Sequence, residues 1–390
     1  MRFLDKKNIS IVGGAGHVGF PLGLVLASKG FNINLIDKNK KSLEDILKGK
    51  PPFLEEGANK LLRQINKRKK IKINVEINSI TFSKFIIICI GTPITKSLKP
   101  KLTEFLNFFR ILKKYIKKDQ IIIIRSSIYP GTFFKISKIL GNKNKNIFYC
   151  PERIVQGKSI KELPKLPQII SGSKNKNLNL VNQVFKKISS KIIKTGVTEA
   201  ELIKLFSNAN RYINFAIANQ FFLICKQNNV DYTNVRKIMR DGYERNTNLA
   251  KAGFTAGPCL LKDTMQLSSF YKRKFNIGYE AMKINEGIPK YIIKELLKIK
   301  NIKKKIIGVL GLSFKAETDD IRDSLSIVLV NLLHQYKLKV ITSDEYYESK
   351  NNVSKEYLIK KSDIIIIGAP HKKYSNLTIS KNKILIDIWK

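Results

Sequence analysis

Short runs of branched apolar residues alternate along the chain with longer amphipathic stretches. Asn8-Ile9-Ser10-Ile11-Val12, the stretch 31–36, Phe85-Ile86-Ile87-Ile88-Cys89-Ile90, Gln120-Ile121-Ile122-Ile123-Ile124 and Ile147-Phe148-Tyr149-Cys150 are too short for helices and are followed by polar or Gly/Pro-bearing loops. That pattern predicts buried parallel strands whose C-terminal ends carry a ligand edge. Cys89 and Cys150 fall at these strands and read as core thiols. Residues 38–80 are polar and helix-leaning, broken at Pro51-Pro52. Residues 199–228 predict one long helix with apolar positions on more than one face, which must be buried against the core or a second subunit. Lys204 and Asn208, spaced i and i+4, share a face of it. Near residue 303 the strand pattern restarts, with apolar runs at 305–312, 338–341, 362–370 and 384–387.

The first strand runs into Gly14-Ala15-Gly16-His17-Val18-Gly19, which fits G-x-G-x-x-G, and the second ends at Asp37. With strand, turn, helix and terminal acid in register, the stretch matches a dinucleotide fingerprint. The glycines let backbone approach a pyrophosphate, and Val18 opens a helix whose N–H groups face it. Asp37 would accept from a ribose diol and repel a 2′-phosphate, so NAD is expected rather than NADP. The fold class that follows is α/β: two Rossmann-like parallel-sheet domains joined by a helical middle domain with a long central helix. The expected boundaries are 1–195, 196–300 and 301–390.

Composition changes this picture little. The net charge of +43 comes from Lys spread throughout, alongside abundant Ile and Asn. Those three share A/T-rich codons, so genome composition is a simpler cause than nucleic-acid binding. The sequence has no RGG tract or aromatic-interleaved basic helix, although the positive field favours an anionic substrate. No apolar run approaches the ~18 residues of a membrane span, and no signal peptide is evident. Four cysteines without metal spacing and three His argue for a reducing cytoplasm and against a zinc site.

The candidate chemistry sits in Phe254-Thr255-Ala256-Gly257-Pro258-Cys259-Leu260-Leu261-Lys262-Asp263. A thiol on a Gly/Pro turn, with a cation three residues on, can ionise and attack a carbonyl carbon. A lone Cys is more often a small buried apolar residue, so the reading depends on its context.

That context resembles the UDP-glucose/GDP-mannose dehydrogenases, which oxidise a nucleotide sugar at C6. The likeness covers nearly the whole chain and rests on ordered motifs: the glycine turn, Gly91-Thr92-Pro93, Ser126-Ser127 with Pro130-Gly131-Thr132, Pro151-Glu152-Arg153, Ala200-Glu201-x-x-Lys204-x-x-x-Asn208, Gly257-Pro258-Cys259-x-x-Lys262-Asp263, and Phe314-Lys315 through Asp320-x-Arg322-x-Ser324. The resemblance implies a four-electron oxidation in which Cys259 holds the aldehyde and then a thioester. Lys204 and Asn208 match residues that stabilise the oxyanion, Asp263 a carboxylate handling water and proton, and Glu152 an acid linked to thioester hydrolysis. Thr92, Ser127, Lys262 and Arg322 match cofactor contacts. Lys315 matches a contact to the substrate diphosphate. Arg245 matches an arginine reaching substrate, from a neighbouring subunit in some members. Phe254 and Gly257 belong to the loop against the sugar. A cytoplasmic homodimer or higher homo-oligomer through the central helix is implied, with a role in polysaccharide biosynthesis.

Departures exist. Ala256-Gly257 stand where the family usually pairs glycines, Ser127 stands for a frequent Thr, and the chain is short toward its C-terminus. Arg211 with the following 212–219 is similar to the N-acetylhexosamine branch, as is the spacing of Arg245 from Cys259, whereas the 258–263 run is similar to the UDP-glucose branch. A UDP-N-acetylhexosamine, with UDP-N-acetylmannosamine foremost, is the favoured substrate and UDP-glucose the alternative. A two-electron hydroxyacid-type dehydrogenase and a basic nucleic-acid-binding protein are the other readings.

Overall fold

The computed structural model describes the chain except residues 1–4, 93, 96–99, 142–145, 174–176, 256, 272–273 and 390. It divides into two compact units, Met1–Phe206 and Ser207–Lys390. The division falls inside the long helix Val197–Gln227.

The first unit is built on an eight-stranded sheet. Its strands are β1 (Asn8–Val12), β2 (Asn32–Ile36), β3 (Ile71–Asn74), β4 (Phe85–Ile88), β5 (Ile121–Ile124), β6 (Ile147–Tyr149), β7 (Gln168–Gly172) and β8 (Ile192–Lys194). The order is β3-β2-β1-β4-β5-β6-β7-β8. β4 and β5 are buried at every position, as expected of central strands covered on both faces. All pairings are parallel except β6 with β7, which runs antiparallel from Phe148↔Gly172. The chain order reverses between β1 and β4, the switch point where the C-terminal strand ends open a crevice. The helix Gly19–Ser28 buries nine of its ten residues, so its small apolar side chains pack all round rather than along one stripe.

The second unit carries a four-stranded parallel sheet: β9 (Ile306–Leu310), β10 (Lys339–Ser343), β11 (Ile364–Ile367) and β12 (Ile384–Asp387), in the order β10-β9-β11-β12. Helices Leu260–Phe270, Asn276–Leu297 and Leu325–Gln335 complete it. Its largest core joins Phe222 and Ala218 of the long helix to Ile288, Ile292 and Leu296, to the β9 residues Ile307 and Val309, and to Leu325, Leu329 and Leu333.

The two sheets repeat one local design. Gly13 N–H donates to Ile36 O and Gly311 N–H to Ser343 O, so each first strand turns beneath the end of its neighbour. Both glycines hold positive φ, +81° and +87°. Each second strand is followed by an aspartate that accepts from the first turn: Asp37 from Ala15 N–H, Asp344 from Leu312 and Ser313 N–H. Asp344 accepts further from Tyr346 and Tyr347 N–H and from the buried His371. Burial works against its charge, but these donors hold its pKa down at about 2.

Candidate active site

In the first unit the glycine turn closes tightly. A Cβ at Gly19 would collide with Gly13 O, and one at Gly14 would lie 2.9 Å from Leu35 Cα. Gly16 has only Gly13 O near its Cβ position, at 3.3 Å. No side chain caps the first turn of the helix Gly19–Ser28, which Val18 opens. Its N–H groups therefore suit an anion such as a pyrophosphate. Asp37 spends Oδ2 on Ala15 N–H (3.1 Å) and Oδ1 on Asn39 N–H (3.0 Å). Each oxygen retains a lone pair for a ribose diol. The residues thus fit NAD. At the next strand ends, Thr92 Oγ1 donates to Ser127 O at 2.7 Å, bringing together two expected cofactor residues. Pro93 lies outside the described residues.

Glu152 is 5% exposed and follows β6. Its Oε2 pairs with the fully buried Arg125, and its Oε1 accepts from Arg153 N–H (2.7 Å) and Ile154 N–H (3.2 Å). Burial opposes the Arg125 charge, yet the Glu152 carboxylate beside it raises its pKa above the ordinary value. Arg125 also donates to Gln168 Oε1 at 3.1 Å and lies over the Phe185 ring. Burial pushes the neighbouring thiols Cys89 and Cys150 up to about 12, which makes them inert. Beyond Glu152, the Gly157 and Ile160 N–H groups and the Ser159 hydroxyl donate to buried Glu55, and Gln156 reaches His17 of the glycine turn at 3.3 Å.

The second unit holds the thiol. Cys259 is exposed and immediately precedes the helix Leu260–Phe270. Asp263, wholly buried one turn on, accepts from Asn208 Nδ2 at 2.6 Å and pairs with Lys262 Nζ at 3.2 Å. Burial opposes the Lys262 charge, but Asp263 and Cys259 together hold its pKa above the usual lysine value. Arg322 is clamped on Asp320, Nε to Oδ1 at 2.9 Å and Nη2 to Oδ2 at 2.6 Å. Those hydrogen bonds, foremost, raise its pKa, and Cys259 adds to the effect.

The other expected residues are placed as follows. Lys204 is 8% exposed on the long helix, one turn before Asn208. Arg211 is exposed, and so is Arg245, which donates to Tyr243 OH at 3.2 Å. Phe254 is a core side chain of the second unit. Gly257 is buried with φ +106°, and a Cβ there would run into the Phe314 ring. Lys315 is half-buried beside that ring. Ala256 lies outside the described residues.

Several residues carry structure around these sites without a local sequence signal. Gly13 is one, and Arg125 and Glu55 are others. In the second unit Asn219 and Asn285 are both wholly buried, and Asn219 Nδ2 donates a hydrogen bond to Asn285 Oδ1 at 2.8 Å. Asn285 donates on to Tyr212 O (3.0 Å), and Tyr212 OH donates to Glu286 Oε1 (2.8 Å). Burial lifts the Glu286 pKa to about 7, against the Tyr212 hydrogen bond.

A glycine turn that fits NAD, on a doubly wound sheet followed by a second αβ sheet, defines the class: an NAD-dependent dehydrogenase. Family models match almost end to end: the NAD binding domain of the UDP-glucose/GDP-mannose dehydrogenase family over residues 7–189, its central domain over 198–287 and its UDP binding domain over 308–390. The chain belongs to that family and is an NAD-dependent nucleotide-sugar dehydrogenase acting on a UDP-sugar. It is 28% identical over 393 residues to the UDP-N-acetyl-D-mannosamine dehydrogenase of Pyrococcus horikoshii, covering 96% of this chain and 93% of that one. It is 27% identical over 407 residues to the UDP-N-acetyl-D-glucosamine 6-dehydrogenase of Salmonella typhi, covering 96% and 92%. The solved UDP-D-ManNAc dehydrogenase of P. horikoshii superposes with TM-score 0.89 over 98% of this chain and 96% of that one, at 28% identity. A UDP-glucose dehydrogenase from Pyrobaculum islandicum, at 21% identity, shares the fold with TM-score 0.88 over 100% and 96%. Among the described residues no helix is long and apolar enough to cross a membrane.

Proposed function

We propose that the chain oxidises the C6 alcohol of a UDP-N-acetylhexosamine to the uronate through a thiohemiacetal and a thioester on Cys259. The observation that carries this reading is the buried Asp263 held between Asn208 and Lys262, one turn from an exposed thiol. NAD held by Gly14, Gly16, Val18, Gly19, Asp37, Thr92 and Ser127, with Lys262 and Arg322, supplies hydride acceptance, one equivalent for alcohol to aldehyde and one for thiohemiacetal to thioester. The Cys259 thiolate adds to the aldehyde carbon. Lys204 and the Asn208 amide stabilise the oxyanion that develops there, and Asp263 fixes that amide's orientation. Water then attacks the thioester carbonyl, its proton passing to a carboxylate for which Glu152 is the candidate. The C–S bond breaks and the Cys259 thiolate leaves. Lys315, Arg245 and Arg211 supply the cations for the diphosphate and sugar, and the loop Phe254–Gly257 shapes the sugar site.

The P. horikoshii and S. typhi relatives are both named for N-acetylhexosamine substrates, which supports that choice over UDP-glucose. On the same reading the chain is a three-part enzyme with boundaries at 195 and 300. It forms a cytoplasmic homodimer through the apolar positions Ile217, Phe221 and Ile224, which the long helix leaves exposed.

The test is purified protein with NAD and UDP-N-acetylmannosamine, UDP-N-acetylglucosamine, UDP-glucose or GDP-mannose. Two NADH per uronate on an N-acetylhexosamine support the proposal. One NADH with an aldehyde product sinks the four-electron step, and Cys259→Ser turning over at the normal rate sinks the covalent one.

A further inference from the structure

The loop that delivers Cys259 is held at its upstream end by two groups, Asn219 and Trp389, to which the motifs assign no role. Gly253 N–H donates to Asn219 Oδ1 at 2.8 Å. That amide is itself fixed by Asn285, because its Nδ2 donates to Asn285 Oδ1. Oδ1 of Asn219 therefore points at the loop. On its other side Gly253 faces the indole of Trp389: φ is +143°, and a Cβ would collide with the six-membered ring. The ring is in turn fixed, with Nε1 donating to Ile367 O (3.2 Å) and Gly368 O (3.3 Å) at the end of β11. Only glycine satisfies both constraints, so residue 253 is a hinge point clamped from two directions. The loop's downstream half is held at Gly257, whose N–H donates to Asp323 O at 3.3 Å and whose Cα lies on Phe314. The exposed thiol follows two residues beyond the second anchor.

We propose that Trp389 and Asn219 are positioning residues for the Cys259 nucleophile: the indole and the amide clamp Gly253 and so set the approach of the thiol. Neither touches the reacting atoms. This rests on the reading of Cys259 as the nucleophile. Positioning of this kind acts on the step after substrate has bound, because a displaced nucleophile lowers the fraction of productive encounters without weakening the grip on the diphosphate.

Trp389 is the only tryptophan in the chain, so indole emission reports on the surroundings of this one ring. Cys259 is exposed, while Cys150 is buried and Cys89 and Cys225 are half-buried, so the fast phase of iodoacetamide alkylation belongs to Cys259. Cys259→Ser should remove that phase. In Trp389→Ala the expected result is a fall in kcat of about 10- to 100-fold with KM for the UDP-sugar within about threefold, and a changed alkylation rate. Trp389→Phe, which still covers Gly253, should recover most of kcat. Asn219→Ala should mimic Trp389→Ala. In the wild-type enzyme, alkylation of Cys259 should shift Trp389 emission, a measurement independent of how any variant folds. Unchanged emission on alkylation overturns the proposal, as does a Trp389→Ala enzyme with normal kcat and normal alkylation. An active Cys259→Ser enzyme would instead discard the nucleophile assignment, leaving the emission and alkylation results to decide whether the clamp exists.

Discussion

Asn208 donates its side-chain amide to Asp263 across 2.6 Å, which links the long helix to the first turn of the helix after Cys259. The carboxylate is wholly buried, and its other oxygen meets Lys262. An amide locked this way can point only its carbonyl oxygen and its second N–H elsewhere, so its donor is pre-aimed.

Asp263→Asn keeps the shape and removes the charge. The Lys262 ammonium then loses its buried partner, and the Asn208 amide its strongest acceptor. We expect kcat to drop by about 100-fold or more and stability by about 3 kcal/mol. Steady-state kinetics and urea unfolding would check both. A variant with wild-type kcat would show that the Asn208 orientation does not matter.

Gly19→Ala places a methyl group on Gly13 O. The turn must open, and NAD affinity should fall by about 100-fold. Gly16→Ala, whose Cβ would sit 3.3 Å from Gly13 O in a tight contact rather than a collision, should cost about tenfold. Titration of NADH fluorescence gives both numbers, and the order Gly19 worse than Gly16 is the discriminating outcome.

Arg125→Met leaves Glu152 with its two backbone donors but without its cation. A buried carboxylate robbed of its partner typically costs about 3–5 kcal/mol. The double variant Arg125→Met/Glu152→Gln should regain most of that loss, because the remaining side chain is neutral. Equal stability of the single and double variants in denaturant would contradict this account.

Glu286 sets a slope of stability against pH. Unfolded, its carboxyl titrates near 4.5, and folded near 7. Between those values the unfolded chain has released a proton that the native chain keeps. Native stability contributed by this group therefore falls as pH rises from about 4.5 to 7 and is level above that. The full change is roughly 3 kcal/mol. Glu286→Gln should flatten that part of the profile, read as the difference in urea midpoint between the two proteins at pH 5 and pH 8.

Much of this architecture is legible in the sequence, for physical reasons that differ by element. β4, β5 and β11 are four-residue isoleucine-rich runs buried at every position, a pattern that periodicity alone picks out. The glycine turn is legible because close backbone approach leaves a fixed spacing. β3 is harder, since Ile71-Lys72-Ile73-Asn74 at a sheet edge looks like any polar segment of a Lys-rich chain. The antiparallel sense of β7 depends on chain direction, which residue types do not encode. The site divides in the same way. Cys259, Lys262 and Asp263 are neighbours in sequence, and the resemblance names Asn208, but the Asn208–Asp263 bond spans 55 positions and has no local signature. Arg125 directly precedes the Ser126-Ser127 motif, yet only burial beside Glu152 distinguishes it from seventy-odd other cations.

The two αβ sheets share a turn design, but their aspartates have different vacancies. Asp37 accepts two backbone N–H groups, whereas Asp344 accepts four and a histidine besides. A ribose diol that fits the first has no lone pair waiting at the second. The repeated scaffold therefore carries one cofactor berth, and equilibrium binding of NAD should saturate at a single molecule per chain.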